Sequence, residues 1–305
     1  MRRITDGTFW IRPRRAPVSP AGATALLVWV ASVVIVAFSD LNTCYFGLAV
    51  AGYAVYLGAI GKWLLPKTVA VEEETVLRAV EHRPQRFAAR CVVVVAAVAL
   101  VALDGAAYAG IKTGYRVPFL TPMIQKLLTV RLWPGVGGLE LLNFTTYALV
   151  PGLLLLALGA RPRELGLCVP ARGTVAATLL CLIPSLAFVG WGLATGKLTA
   201  LGLFYLAVHN FLSNGFSEEF QCRGMIFSHL RACLRTDWAL LVQAVIFALL
   251  HFRPNGVEER ADPLGSLAED LALNMPVALA FGFLALRAAA WHCRLYCICS
   301  TGSRK

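Results

Sequence analysis

The feature that most constrains this chain is the grouping of its apolar residues into uninterrupted runs close to 20 residues long. A helix advances about 1.5 Å per residue, so roughly 20 apolar residues cross a hydrocarbon layer of ~30 Å. Runs such as Cys91–Leu103 and Leu153–Leu158 show none of the alternation that marks a membrane β-strand of ~10 residues. Composition points the same way: of 305 residues 58% are apolar and 15% charged, against roughly 25% charged in a soluble domain. Disorder is excluded, because disordered chains lack apolar residues. A pair of soluble domains, which length alone suggests, is excluded by the runs. The expected fold is an all-α, polytopic transmembrane helix bundle of about eight spans. They are Ala21–Phe38, Cys44–Leu65, Cys91–Ile111, Leu141–Ala160, Thr174–Ala194, Leu198–Phe216, Asp237–Phe252 and Leu267–Trp291.

The net charge of +11 serves to orient these spans. With the amino terminus inside, 21 of the 28 Lys and Arg fall on one side and 7 on the other. The excess of cations on the cytoplasmic side then places both termini in the cytoplasm. The chain carries no nucleic-acid-binding element with its basic residues, so no nucleic-acid partner is expected. The first span follows a basic leader with no small-residue cleavage site and reads as a retained anchor. Residues 1–20 form a basic cytosolic tail, and 21–195 an amino-terminal membrane region of about five spans. Residues 198–291 form a core of about three spans, and 292–305 an atypical tail. The cations and glutamates between Lys67 and Arg90 read as a solvated cytosolic helix or linker. The proline-containing stretch Lys112–Glu140 reads as a segment lying along the interface. Nine cysteines cannot all pair, and a disulfide framework is not expected.

Ionisable residues at membrane depth are costly and mark functional sites. The densest group is Ser217-Glu218-Glu219-Phe220-Gln221-Cys222-Arg223-Gly224. Glu219 and Arg223 stand four apart, as a helical ion pair does. Phe247 through His251 closes the seventh span. Leu234 to Asp237 reads as a turn with Thr236 or Asp237 capping the next helix. Glu218 lies about 25 Å before that turn and His251 about 22 Å after it, so an antiparallel hairpin brings carboxylate and imidazole to similar depth. One helix from Leu198 to Leu234 would measure ~55 Å, too long for one span. A break is therefore expected at Ser213-Asn214-Gly215, with Glu218 opening a new helix beside the positive end of its dipole. His209 would then face away from Glu218. Asp104 is expected to be paired or to face a cavity, and Asn274 and Pro276 to kink the last span.

Glu-Glu-x-x-x-Arg followed by Phe-x-x-x-His resembles the first two motifs of the CPBP family, the CAAX-protease and bacteriocin-processing homologues also called Abi or type II CAAX prenyl endopeptidases. The likeness spans roughly Phe204–Arg287, and Gly282-x-x-x-x-Arg287 is similar to the family's glycine-and-arginine stretch. The resemblance implies an intramembrane endopeptidase acting on a membrane-anchored or lipidated protein, with membrane lipid as its surroundings and a bacterial plasma membrane as its place. It implies Glu218 as general base, His251 as the residue that positions the water or shares its proton, and Glu219 and Arg223 as structural support. A carboxylate in a low-dielectric cavity gains basicity by desolvation. Two carboxylates and one imidazole are not a diagnostic zinc set, so no cofactor is expected. The family's final motif of His and then Asn is missing here: Cys297-Ile298-Cys299 stands in its place, and His292 is the one late histidine available as a substitute. That departure reads as a diverged or altered carboxy-terminal stretch. It also supports the alternative of a catalytically impaired membrane scaffold or immunity-type protein; a transporter is the third reading.

Overall fold

The computed structural model describes residues 19–39, 41–64, 84–113, 117–133, 136–167, 172–252 and 263–289. Helices dominate, in the order α1 (Pro20–Ser39), α2 (Leu41–Leu64), α3 (Pro84–Thr113) and α4 (Leu120–Thr129), followed by a short ribbon of β1 (Arg131–Trp133) and β2 (Val136–Gly137). Then come α5 (Gly138–Ala157), α6 (Arg172–Ala194), α7 (residues 200–233), α8 (Thr236–His251) and α9 (Pro263–Ala289). Among the described residues, α1, α2, α3, α5 and α9 are long and apolar enough to cross a membrane, while Ala200–His209 and Thr236–His251 are shorter apolar helices. The protein is an all-helical membrane bundle, with one departure from the expected class. The stretch expected to lie along the interface contains the helix α4 and an antiparallel ribbon that pairs Arg131 with Gly137 and Trp133 with Val136.

Local chemistry explains where the helices begin. Ser19 accepts a hydrogen bond from the Gly22 N–H at 3.1 Å, and Pro20 follows it, the position where a missing N–H costs nothing. Thr199 caps α7 by accepting from the Gly202 N–H at 3.0 Å. The turn into α8 corrects the expected cap. Arg235 is the capping residue and makes no side-chain cap, while the Asp237 carboxylate, inside the first turn, accepts the Trp238 N–H at 3.0 Å. An acid there also meets the positive end of the helix dipole.

Polar groups in the long helices hold them together. Pro276 lies inside α9 and has no N–H for the Ala272 carbonyl one turn earlier. The Trp29 indole N–H of α1 donates to that carbonyl at 3.1 Å, so the group freed by proline is satisfied by a neighbouring helix. Tyr56 of α2 donates to the Leu180 carbonyl of α6 at 2.8 Å. Arg90, expected among the solvated charges before the third span, is instead a buried residue of α3. Its guanidinium bonds Glu164 at 2.9 Å and the Leu158 carbonyl at 3.3 Å, pinning α3 to the turn that follows α5. A buried cation without such partners would be strongly destabilising.

The largest difference from the sequence reading lies in α7. No break occurs at residues 213–215. The chain instead widens into π-helical turns at Phe211–Gly215 and Phe220–Phe227, and helical backbone continues to Cys233. Gly215 keeps right-handed helical angles. Ser217, fully buried, donates its hydroxyl to the Leu212 carbonyl five residues earlier. Glu218 therefore lies in the middle of a helix and not at an amino terminus; the expected help from open N–H groups is absent. Wide turns of this kind recur at functional sites because they re-aim side chains without breaking the helix.

Two glycines set how closely α7 and α8 are approached. A Cβ on Gly224 would sit 2.5 Å from the Leu165 carbonyl oxygen, so only glycine lets the turn at Pro162–Leu165 lie against α7. A Cβ on Gly282 would overlap Leu240 and stand 3.1 Å from the Gln243 side-chain oxygen, so glycine also fixes the contact of α9 with α8. Phe220, Cys222, Met225 and Ile226 of α7, Phe247 and Ala248 of α8, and Met275 and Ala278 of α9 meet in one core between these helices.

Candidate active site

α7 and α8 form the expected antiparallel hairpin, joined through Leu234 and Arg235. Its registry brings the His251 Nε2 to 3.8 Å from the Glu218 Oε1. The two axial estimates from sequence differ by about 3 Å, with Glu218 the farther from the turn. The π-helical residues 220–227 lie on that longer arm and advance less per residue, which shortens it toward the other.

The imidazole is held from behind. Its Nδ1 lies 2.8 Å from the Phe247 carbonyl oxygen. A carbonyl only accepts, so Nδ1 carries a proton, and Nε2 is the nitrogen that faces Glu218. At 3.8 Å the Glu218 oxygen and the His251 Nε2 are too far apart for one hydrogen bond. The gap is the right width for one water molecule to bridge. A water ~2.8 Å from each would subtend roughly 85° between them, close to the angle water prefers. Glu218 and His251 are each about a third exposed, with side-chain values of 27% and 34%, so a small molecule can reach them.

Beside this pair the Arg223 Nη1 lies 3.0 Å from the Glu219 Oε1. Arg223 is only 8% exposed. Its guanidinium lies over the Phe247 ring at 5.0 Å and the Phe281 ring at 5.5 Å, linking all three helices. The Phe247 ring also sits 4.5 Å from the His251 imidazole. Phe247 thus touches both groups: its carbonyl orients the imidazole and its ring carries the cation. Nothing in the residue type announced that second task.

The remaining candidates lie elsewhere. His209 pairs with Glu140 at 3.1 Å, and both line a cavity of about 600 Å³ built from α4, the ribbon and the start of α5. Glu140 also accepts the Gly137 N–H at 2.7 Å, a local signal at the start of α5 that the sequence reading passed over. Asp104 is buried in α3. His292 and the late cysteines lie outside the described residues, as does the Arg287 side chain. Among the described residues no three His, Cys, Asp or Glu side chains converge. Among the described residues the donor set at Glu218 fits a metal poorly: Glu219 is engaged by Arg223, leaving one carboxylate and one imidazole where catalytic zinc takes three protein ligands.

Residues 200–298, covering α7, α8 and α9, match the sequence model of a family described as type II CAAX prenyl endopeptidase Rce1-like. Over these residues the chain is similar to the CAAX prenyl endopeptidase family. The match takes in both Glu218 and His251 and runs past Arg287 into the segment with the late cysteines. No curated protein and no solved structure matches the chain. That likeness and the long apolar helices together support an integral membrane protein.

Proposed function

We propose that the protein is an intramembrane endopeptidase that cuts a peptide bond of a prenylated or otherwise membrane-anchored protein, using water activated by Glu218. The observation that carries this reading is the 3.8 Å gap between Glu218 Oε1 and His251 Nε2 in a helical membrane core. Water placed between them gives its proton to Glu218 while its oxygen attacks the scissile carbonyl carbon. The carbonyl electron pair moves onto oxygen, and collapse of the tetrahedral species breaks the C–N bond. The proton held by Glu218 passes to the leaving amine, so the enzyme returns to its starting state. His251 keeps its Nδ1 proton on the Phe247 carbonyl throughout and fixes the water through Nε2. Glu219 and Arg223 hold the frame, and the route uses no metal. We place both termini in the cytoplasm, consistent with the cation distribution.

The experiment is cleavage of a fluorogenic farnesylated peptide by the full chain reconstituted in liposomes. The expected result is that Glu218→Gln and His251→Ala each lower kcat by at least ~100-fold, the scale of a lost general base, while inserting normally. Full cleavage by both variants overturns the assignment.

A further inference from the structure

Asn274 and Asp270 are polar residues inside the candidate span of α9, and Asn274 donates its amide N–H to the Asp270 Oδ1 at 3.1 Å. Polar side chains at such depth carry a solvation cost, and here both remain partly accessible. The register of the three helices sets their level. Ala239 packs with Leu286, and Gln243 stands opposite Gly282, so α8 and α9 run antiparallel. His251 lies eight residues beyond Gln243, and Asn274 eight residues before Gly282. Each step is about 12 Å in the same direction, which puts Asn274 level with His251.

The third helix agrees. Phe227 clusters with Leu286, and Arg223 lies over Phe281, so α7 and α9 run parallel. Counting back five residues from Arg223 reaches Glu218, and seven from Phe281 reaches Asn274. Seven residues is about 20° short of two full turns, so Asn274 lies on the same stripe of α9 as Phe281, the stripe that meets Arg223. The α1 contacts at Ala268 and Ala272 fall on the opposite side. α9 therefore presents an amide to the space that Glu218 and His251 border.

Within the protease reading, on which this step rests, we infer that Asn274 is the third wall of the site and donates a hydrogen bond to the scissile carbonyl. Asp270 is its positioning residue. One Nδ2 hydrogen is committed to Asp270, and the other is the donor that this role assigns to the substrate carbonyl. As water attacks, negative charge builds on the carbonyl oxygen, and a fixed N–H donor in a low-dielectric site stabilises that charge more than it does the ground state. Neither Glu218 nor a His251 with its proton on the Phe247 carbonyl supplies such a donor. Gln243, the other amide on this side of α8, is fully buried and cannot meet a substrate.

The test uses the full chain in liposomes with the farnesylated peptide, alongside a proximity measurement that needs no activity. Asn274→Asp keeps the shape and loses the donor; kcat is expected to fall ~100-fold, as for other single oxyanion donors, with KM changed less than about threefold. Asp270→Ala is expected to lower kcat about tenfold and Asp270→Asn less, because an acceptor oxygen remains. In the double variant His251→Cys, Asn274→Cys, a short bis-methanethiosulfonate reagent is expected to join positions 251 and 274, as located by peptide mass spectrometry. Cleavage that depends on Glu218 but is unchanged by Asn274→Asp and Asn274→Ala overturns this inference alone. Absence of the 251–274 link overturns the geometry beneath it. If the link forms but the wild-type chain cleaves no peptide, the protease reading is overturned, and this role with it.

Discussion

Arg223 offers the sharpest check on how the site is held, because three helices converge on it. Replacing it with Met keeps most of the volume and removes the cation, the 3.0 Å ion pair with Glu219, and the stacking on Phe247 and Phe281. Each desolvated cation–π contact contributes on the order of 1 kcal/mol. Breaking a fully buried ion pair costs about 3–5 kcal/mol because a charge is left stranded. Glu219 is 48% exposed on its side chain, so its orphaned carboxylate can hydrate, and most of that penalty is relieved. The net expectation for Arg223→Met is a loss of about 2–3 kcal/mol, of which the ion pair supplies ~1 and the two rings the rest. Chemical unfolding in micelles, read by tryptophan fluorescence, measures it. A double-mutant cycle with Glu219→Gln isolates the pair, with an expected coupling of ~1 kcal/mol. Arg223→Lys should keep much of that coupling and lose part of the stacking, since the ammonium lacks the flat guanidinium face. Effects of Arg223→Met and Glu219→Gln that add within ~0.3 kcal/mol would refute the coupling, and stability unchanged by Arg223→Met would refute the whole argument.

Two further substitutions probe the frame around the site. Gly224→Val places side-chain atoms on the Leu165 carbonyl, and backbone cannot retreat as a flexible side chain does. The chain should unfold at markedly lower denaturant, by about 2–3 kcal/mol or more, and folding with normal stability would mean the turn at Pro162–Leu165 is not packed on α7. Trp29→Phe removes the indole N–H from the Ala272 carbonyl while keeping an aromatic ring. The expected cost is ~1 kcal/mol in the same assay, and restoring a helix donor with Pro276→Ala in the Trp29→Phe background should recover most of it.

How much was legible in advance depends on how far apart the interacting residues lie in sequence. The Glu219–Arg223 pair needs only a helix and a spacing of four, so the motif itself announced it. The Glu218–His251 approach needs a turn at Leu234–Arg235 and two arms of similar length, which counting also supplies. The expected break at Ser213-Asn214-Gly215 failed because a helix too long for one regular span has another option. It can widen into π turns and recover its stranded carbonyl through a nearby hydroxyl, as Ser217 does for Leu212. In sequence Arg90 reads as a solvated charge, since a cation between apolar runs looks solvated until a partner is seen, and the rings that cover Arg223 are no more visible in its motif. Those partners, Glu164 and the Phe247 and Phe281 rings, are 74, 24 and 58 residues away.

Sequence alone determined the solvent and the secondary structure. Apolar runs near membrane length leave the backbone no partner but itself, so they must be helical, and 17 acidic residues in 305 make two adjacent ones conspicuous. Tertiary structure decided what those groups face. The tautomer of His251 follows from the Phe247 carbonyl, the burial of Arg223 from rings on two other helices, and the placing of Asn274 from the close contact at Gly282. The physical reason is that a helix fixes the angles between its own side chains but not its rotation or depth against its neighbours. Those are set by packing, and a methyl group at Gly224 or Gly282 would be enough to change them.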